Sequence, residues 1–375
     1  MTFEKISLRL RGMDCHTSEL LLGAGTAFFL KVIGAGLSFG FNIVLARTLG
    51  AQGAGVFFIA LTFITVAAML GRVGLDNTLV KFIAGYSVTG DWALVKGVFW
   101  TSVFICLGAS AIVTVVVFTS AGWVSNQLYD KPELFEPLQL MAWAIIPLAM
   151  SVLLANALKG CKKIFAATLT EGVAIGAFSL SVFLSISDLH SVKGAASTYL
   201  VASVCAVVLG ACFWSRAKPE LYGVRAQFSL EKIWKSCGPL LWVSCLNFSL
   251  LWSTTFFLGI WETSENIGVY NVAWRTSLLI SFVLISVNSI SGPKFAEFVQ
   301  KNDIAALQCM AKKSSRLMTF CSLPLVLLFV FIPGKVLSLF GPEFVQGAIL
   351  LSILSIAQVF NVITGPSAKF IHYVG

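Results

Sequence analysis

Ten separate stretches of about 20 apolar residues recur along this chain, and each is long enough to cross a hydrocarbon core of roughly 30 Å as a helix. A run buried in lipid has no water to bond its backbone amides, so only a helix or a closed barrel can satisfy them. The stretches fall near residues 22–46, 52–71, 97–119, 138–158, 165–187, 194–215, 236–260, 268–291, 317–334 and 345–365. Several carry glycine, serine and other polar residues without the two-residue alternation of a barrel strand. Hydrophobic residues are 57% of the chain, charged residues 11%, and mean hydropathy is +0.88, well away from soluble composition. The expected fold is therefore all-α: a polytopic transmembrane bundle of about ten helices.

Charge sets the orientation. With the N-terminus in the cytoplasm, the segments before 22, at 72–96, 159–163, 216–235 and 293–316, and after 365 become cytoplasmic, and they hold 20 of the 26 basic residues. The opposite side receives only Arg47, Lys131, Lys193 and Lys335, beside acids such as Asp130, Glu133, Glu136, Glu262 and Glu265. Such a split obeys the positive-inside rule. It also accounts for most of the net charge of +9, so no nucleic-acid partner is implied. The first span is too long for a signal-peptide core and runs into Arg47, so it is expected to be retained. The tail before it, residues 1–21, reads either as a short basic surface helix or as an unstructured segment.

The nine cysteines lie in spans or on the cytoplasmic side, and no C-x-x-C pair occurs. They read as small apolar core residues in a reducing setting. His16, His190 and His372 are scattered, so no metal site is expected. A G-x-x-x-x-G-K-[ST] loop is missing, no other cofactor motif stands out, and the longest cytoplasmic loops are basic. ATP hydrolysis and cytoplasmic glycosyl transfer are therefore not expected, and the chain reads as a carrier, not an enzyme.

An internal repeat organises the helices. "GVFFIALTF" at 55–63 and "GVYNVAWRT" at 268–276 each open a span, displaced by 213 residues. The same displacement carries Lys81-Phe82 onto Lys294-Phe295, and "LYDKPELF" at 128–135 echoes "LFGPEF" at 339–344. Tandem six-helix copies follow, in the same orientation and related by an axis along the membrane normal. The expected divisions are 1–21 as tail, 22–232 as the first copy and 233–375 as the second. The second copy then holds only four helices and is expected to lack its last two.

"GAGTAFFLKVIGAGLSFGFNIVLARTLGAQGAGVFFIALTFITVAAMLGRVGLDNTLVKFIA" resembles the start of bacterial polysaccharide-biosynthesis exporters of the O-antigen flippase type. The likeness rests on Ala46-Arg47-Thr48-Leu49-Gly50, Gly55-Val56-Phe57 and Gly71-Arg72-Val73-Gly74-Leu75-Asp76. "LFGPEF" and "NVITGPSA" resemble the family's ninth-to-tenth helix region. Members normally continue beyond the point where "NVITGPSAKFIHYVG" stops. What the resemblance implies is a flippase of the multidrug, oligosaccharidyl-lipid and polysaccharide exporter superfamily. Its substrate would be undecaprenyl-diphosphate-linked oligosaccharide units for O-antigen or capsule, crossing the bacterial inner membrane among membrane lipids. A polysaccharide polymerase and a chain-length regulator would be its protein partners.

Candidate substrate-binding residues line the first, seventh and eighth spans. Lys31, Ser38 and Asn42 fall within roughly 40° of one another on a helical wheel. Asn247 lies on a polar face of the seventh span, with Asn271 and Arg275 in the eighth. Such faces serve equally to bond helices together in lipid. Lys31 and Arg275 are the two bases left inside spans, and both can snorkel to water. The other reading has them receiving a lipid diphosphate, arginine as a bidentate fork and lysine as a point charge. Glu171, an acid within a span, reads as a counter-ion to one of them, a protonatable coupling site, or an interfacial residue. Trp242 and Trp252 allow either packing or sugar stacking. The competing functions are a cation-coupled multidrug exporter of the same superfamily and a membrane-embedded polymerase or transferase.

Overall fold

The computed structural model describes residues 15–186, 190–217, 223–227, 230–300 and 304–374. Of the tail expected at 1–21, residues 1–14 lie outside these. Among the described residues every regular element is helical.

The first helical run, Cys15–Gly71, would be about 85 Å long at 1.5 Å per residue if straight, far more than one crossing needs. It breaks at Gly50, whose φ of 66° and ψ of −178° lie in a region open essentially to glycine alone. Phe41 and Phe57 would stand about 24 Å apart on a straight helix. Their ring centroids are in fact 6.2 Å apart, so the chain reverses at Gly50. Residues 15–49 are α1 and residues 51–71 are α2.

There follow α3 (Leu75–Thr89), α4 (Trp92–Trp123), α5 (Phe135–Ala142), α6 (Ile145–Gly160), α7 (Ile164–Thr168), α8 (Ala174–Ser185), α9 (Val192–Ala217), α10 (Leu230–Trp261), α11 (Ser264–Gln300), α12 (Ile304–Phe331), α13 (Pro333–Leu337) and α14 (Ala348–Val374). Single π-turns extend α4 over Val124–Leu128 and join α7 to α8 over Leu169–Val173. Nine of the ten expected spans fall on stretches long and apolar enough to cross; the eighth, 268–291, lies within α11, which is not among them, and the end of the fifth, residue 187, lies outside the described residues. The fourth is broken: α5 and α6 meet at 46°. Pro147 supplies the reason, since it has no N–H to donate and its ring crowds the carbonyl four residues back, at Trp143.

Among the described residues, seven stretches are long and apolar enough to cross a membrane, and the bent pair makes an eighth. One of the seven, Phe28–Gly71, contains the reversal at Gly50 and so supplies two crossings. The segment at 72–96, outside the expected spans, contains α3. Leu75, Leu79 and Ile83 recur every four residues on its buried face, and Gly90 ends it in a left-handed conformation.

Two compact units are distinguished. The larger comprises Ile33–Val272 with Leu337–Gln346, and the smaller Met1–Val32, Ala273–Val336 and Gly347–Gly375. The boundaries cut through α1 and α11, so these are units of packing and a separate matter from the sequence copies. In the larger unit α6 is the central helix, packed on α3, α4 and α9. Ala149, Ala155, Ala157 and Gly160 are buried along it, and such small residues let helices approach closely where lipid gives no hydrophobic drive. In the smaller unit α12 packs on α14, and Ser281 Oγ donates to Gln358 Oε1 at 2.6 Å to tie α11 to α14. Trp242, Leu246 and Leu250 form an exposed stripe on α10 at four-residue spacing.

Candidate functional site

The turn between α2 and α3, Gly71-Arg72-Val73-Gly74-Leu75-Asp76, builds one end of the candidate site. Val73 and Gly74 both adopt positive φ, 50° and 74°. Glycine is required at 74 because α10 passes against it: a Cβ there would stand 2.5 Å from the Cys237 carbonyl oxygen. The turn sends Arg72 back along α3, where its Nε donates to Asp76 Oδ1 at 2.8 Å and Oδ2 at 3.1 Å. Arg72 is only 6% exposed, and an unpaired charge at that depth would be costly.

A chain of polar side chains continues from this pair. Asn156 Nδ2 on α6 approaches Asp76 Oδ1 at 3.4 Å, and Lys159 Nζ donates to Asn156 Oδ1 at 3.0 Å. Lys159 then pairs with Glu171 at 2.5 Å. Two oppositely charged pairs are joined through Asn156, and the chain links four elements: the α2–α3 turn, α3, α6 and the π-turn after α7.

Above the turn lies a cavity of about 320 Å³ between α2 and α10. Val66, Met69 and Leu70 form one wall, and Cys245, Phe248, Ser249, Trp252, Ser253, Phe256 and Phe257 the other. Phe248, Trp252 and Phe256 line up because they recur every four residues. Phe256 stacks on Phe63 with centroids 5.7 Å apart. The Arg72 guanidinium carbon stands 5.9 Å from the Phe248 ring centroid, within cation–π range. The cavity is thus apolar and aromatic along its length, and Arg72, outside its lining and paired with Asp76, packs against the Phe248 ring. The two tryptophans of this helix take different surroundings: Trp252 lines the cavity, while Trp242 is 73% exposed.

The residues singled out from sequence are distributed between the units. Lys31, exposed, and Arg275, half-buried, belong to the smaller unit; Ser38, Asn42, Glu171, Asn247 and Asn271 belong to the larger. Asn271 is fully buried, accepts from Thr255 Oγ at 3.3 Å and donates to the Ile267 carbonyl at 3.0 Å. Asn247 is exposed and donates to the Val243 carbonyl at 2.9 Å, within its own helix. Ser38 lies against Gly176 of α8, and Asn42 is buried on α1. Sequence reading missed Arg72, Asp76, Asn156 and Lys159, because Arg72 and Lys159 were absorbed into the positive-inside pattern. The i, i+4 spacing of Arg72 and Asp76 was the available signal.

Many apolar crossings and a helical reversal near the start define a multi-pass membrane protein built as a helical bundle. The chain superimposes on an inward-facing multidrug resistance MATE family transporter of the MOP superfamily with a TM-score of 0.70, at 18% identity, over 94% of this chain and 84% of that one. A MOP superfamily transporter from Pyrococcus furiosus, described as having a binding pocket of reverse polarity, gives a TM-score of 0.62 at 15% identity, over 95% and 85%. A family model described as polysaccharide biosynthesis protein matches residues 44–346, and the chain belongs to that family. It is similar to a protein of Haloferax volcanii named "Probable low-salt glycan biosynthesis flippase Agl15", 23% identical over 97% of this chain and 74% of that protein. It is also similar to the Methanocaldococcus jannaschii membrane protein MJ1068, at 21% identity over 94% and 70%.

Proposed function

We propose that this chain is a flippase that carries a polyprenyl-diphosphate-linked oligosaccharide across the cell's inner (plasma) membrane for surface-glycan assembly. The observation that carries the reading is the α2–α10 cavity. Its walls are apolar and aromatic, so it matches the hydrocarbon part of a lipid-linked ligand. Membership of the polysaccharide biosynthesis family and the glycan flippase relative support the same substrate class. An undecaprenyl carrier and an O-antigen or capsular repeat unit are the specific form it takes in a bacterium. The N-terminus lies in the cytoplasm, where the basic loops gather. A polysaccharide polymerase and a chain-length regulator are the expected protein partners.

In this reading the lipid-linked glycan enters from the cytoplasmic side and its prenyl tail stays in or beside the bilayer. The diphosphate meets cations, with Lys31 and Arg275 the bases placed deepest in their spans. The two copies, 22–232 with six helices and 233–375 with four, rock about an axis along the membrane normal and expose the glycan on the far side. The ligand drives the cycle only through different affinity in the two states.

Complementation of a strain lacking its own lipid-linked-glycan flippase tests the proposal. The chain is expected to restore surface glycan, and the Lys31→Ala, Arg275→Ala double substitution to lower restoration at least tenfold. Full activity of that double variant would remove both bases from the mechanism. Export of cationic drugs without glycan restoration would favour the multidrug reading that the MATE-like fold also allows.

A further inference from the structure

The two sequence copies meet reciprocally at one end of the larger unit. A Cβ on Gly55 of α2 would overlap the Ser264 carbonyl oxygen, and a Cβ on Gly268 of α11 would overlap that of Ala51. Gly55 and Gly268 are separated by the repeat displacement of 213 residues, and so are Ala51 and Ser264. The contact is therefore made twice with the partners exchanged, the signature of a two-fold axis between like elements.

The loops that echo each other in sequence repeat the exchange. In "LYDKPELF" Glu133 accepts from Ser264 Oγ at 2.7 Å and from Gln52 Nε2 at 2.8 Å. In "LFGPEF" Glu343 accepts from the Ala51 backbone N–H at 2.7 Å. Each loop's carboxylate thus reaches the start of the second helix of the other copy, at positions 264 and 51. The loop aromatics also cross over. Tyr129 seats against Gly259 of α10, and Phe340 packs edge-on to Phe39 of α1 with centroids 5.4 Å apart. Basic side chains fasten both: Lys131 Nζ donates to the Gly259 carbonyl at 2.6 Å, and Arg47 Nε to the Leu339 carbonyl at 2.7 Å.

We propose that this crossed pair of carboxylates, Glu133 and Glu343, is the latch of the outer gate, closed in this structure around the Gly55–Gly268 contact. The inference rests on the flippase reading for the words "outer" and "gate"; the crossed geometry stands without it. Two bare glycine backbones touch closely but do not interlock, so they can part without unthreading any side chain. Glu343 meets an unpaired donor, since the first N–H groups of a helix have no intrahelical partner and a charged acceptor there is favoured by the helix dipole, while Glu133 bridges side chains of both copies, Ser264 and Gln52. An open cavity of about 480 Å³ is lined by Gln52, Glu133 and Ser264, so water replaces these bonds once they break.

Hydrogen–deuterium exchange of the full chain in lipid nanodiscs tests the latch without requiring transport. In the Glu133→Ala, Glu343→Ala double variant, amides of peptides covering 51–56 and 264–268 are expected to exchange at least tenfold faster than in the unsubstituted protein, with α9 unchanged. Each Glu→Gln single variant keeps an uncharged acceptor and is expected to fall between. Unchanged exchange at both peptides in the double variant would overturn the proposal. If the double variant also loses protection in α9, Glu343→Gln alone decides, since it alters only the acceptor of the Ala51 amide. Failure of glycan translocation with these expected exchange changes would count against the proposed function and leave the latch standing.

Discussion

Asp76→Ala removes the carboxylate from a guanidinium that the fold keeps 6% exposed. Breaking a buried pair from one side costs roughly 3 to 5 kcal/mol, because the remaining charge is stranded. Arg72 keeps its contact with the Phe248 ring, worth roughly 0.5 to 2 kcal/mol, and Asp76 is itself 21% exposed at its side chain, so the lower end applies. A net loss of about 3 kcal/mol lowers the unfolding midpoint by about 6 °C at the shallow slope of about 2 °C per kcal/mol expected for a long chain. The assay is thermal unfolding of purified protein in detergent, followed by tryptophan fluorescence at fixed scan rate. Removing the stranded charge as well, in Arg72→Met with Asp76→Ala, should recover at least half of the loss, since an apolar replacement needs no partner. A midpoint within about 1 °C of the unsubstituted protein for Asp76→Ala, or a double variant less stable than the single, would refute the reasoning.

Two further perturbations follow. Gly50→Ala forces a side chain into a backbone region that costs roughly 1 to 3 kcal/mol and places a Cβ 3.0 Å from Glu343 Oε2; the unfolding midpoint should fall and the yield of monodisperse protein with it, and an unchanged midpoint would mean the α1–α2 reversal tolerates other geometry. Burial holds the Lys131 ammonium below its ordinary range against the opposing pull of Glu133, Asp130 and Glu262. The unfolded chain therefore binds more protons between the lowered value and 10.5, and stability from this residue rises with pH through that window. Comparison of the unfolding midpoints of the unsubstituted protein and Lys131→Met at pH 8 and pH 10 should show that increment only in the former.

Most of the helices were legible because lipid demands long apolar runs and the chain supplies them with little ambiguity. The reversal at Gly50 was visible as a break in apolarity within "LARTLGAQGAG", though the requirement for a positive φ was not. Pro147 announced the bend in the fourth span, yet a window of average hydropathy passes over a single proline. Amphipathic α3 was hidden for the opposite reason: Lys81 and Asp76 dilute it below any span threshold, and its buried Leu75, Leu79 and Ile83 show only as a four-residue period. The site was less legible. Arg72 and Lys159 look like ordinary cytoplasmic charges until the fold sets Asn156 between Asp76 and Lys159. The repeat carried unexpected information, because a displacement of 213 residues, read only as evidence of duplication, also identified which glycines touch.

Reconstitution into liposomes tests the central claim most directly. A fluorescent polyprenyl-diphosphate oligosaccharide is placed in the inner and outer leaflets, and a membrane-impermeant glycosidase added outside reports how much of the inner pool becomes accessible with time. The account predicts inner-leaflet substrate reaching the enzyme at least tenfold faster with the protein than in empty vesicles. Ser249→Trp, which fills the α2–α10 cavity, should return that rate to background while the protein remains folded. No acceleration by the correctly folded, unsubstituted chain, or full activity in Ser249→Trp, would contradict it.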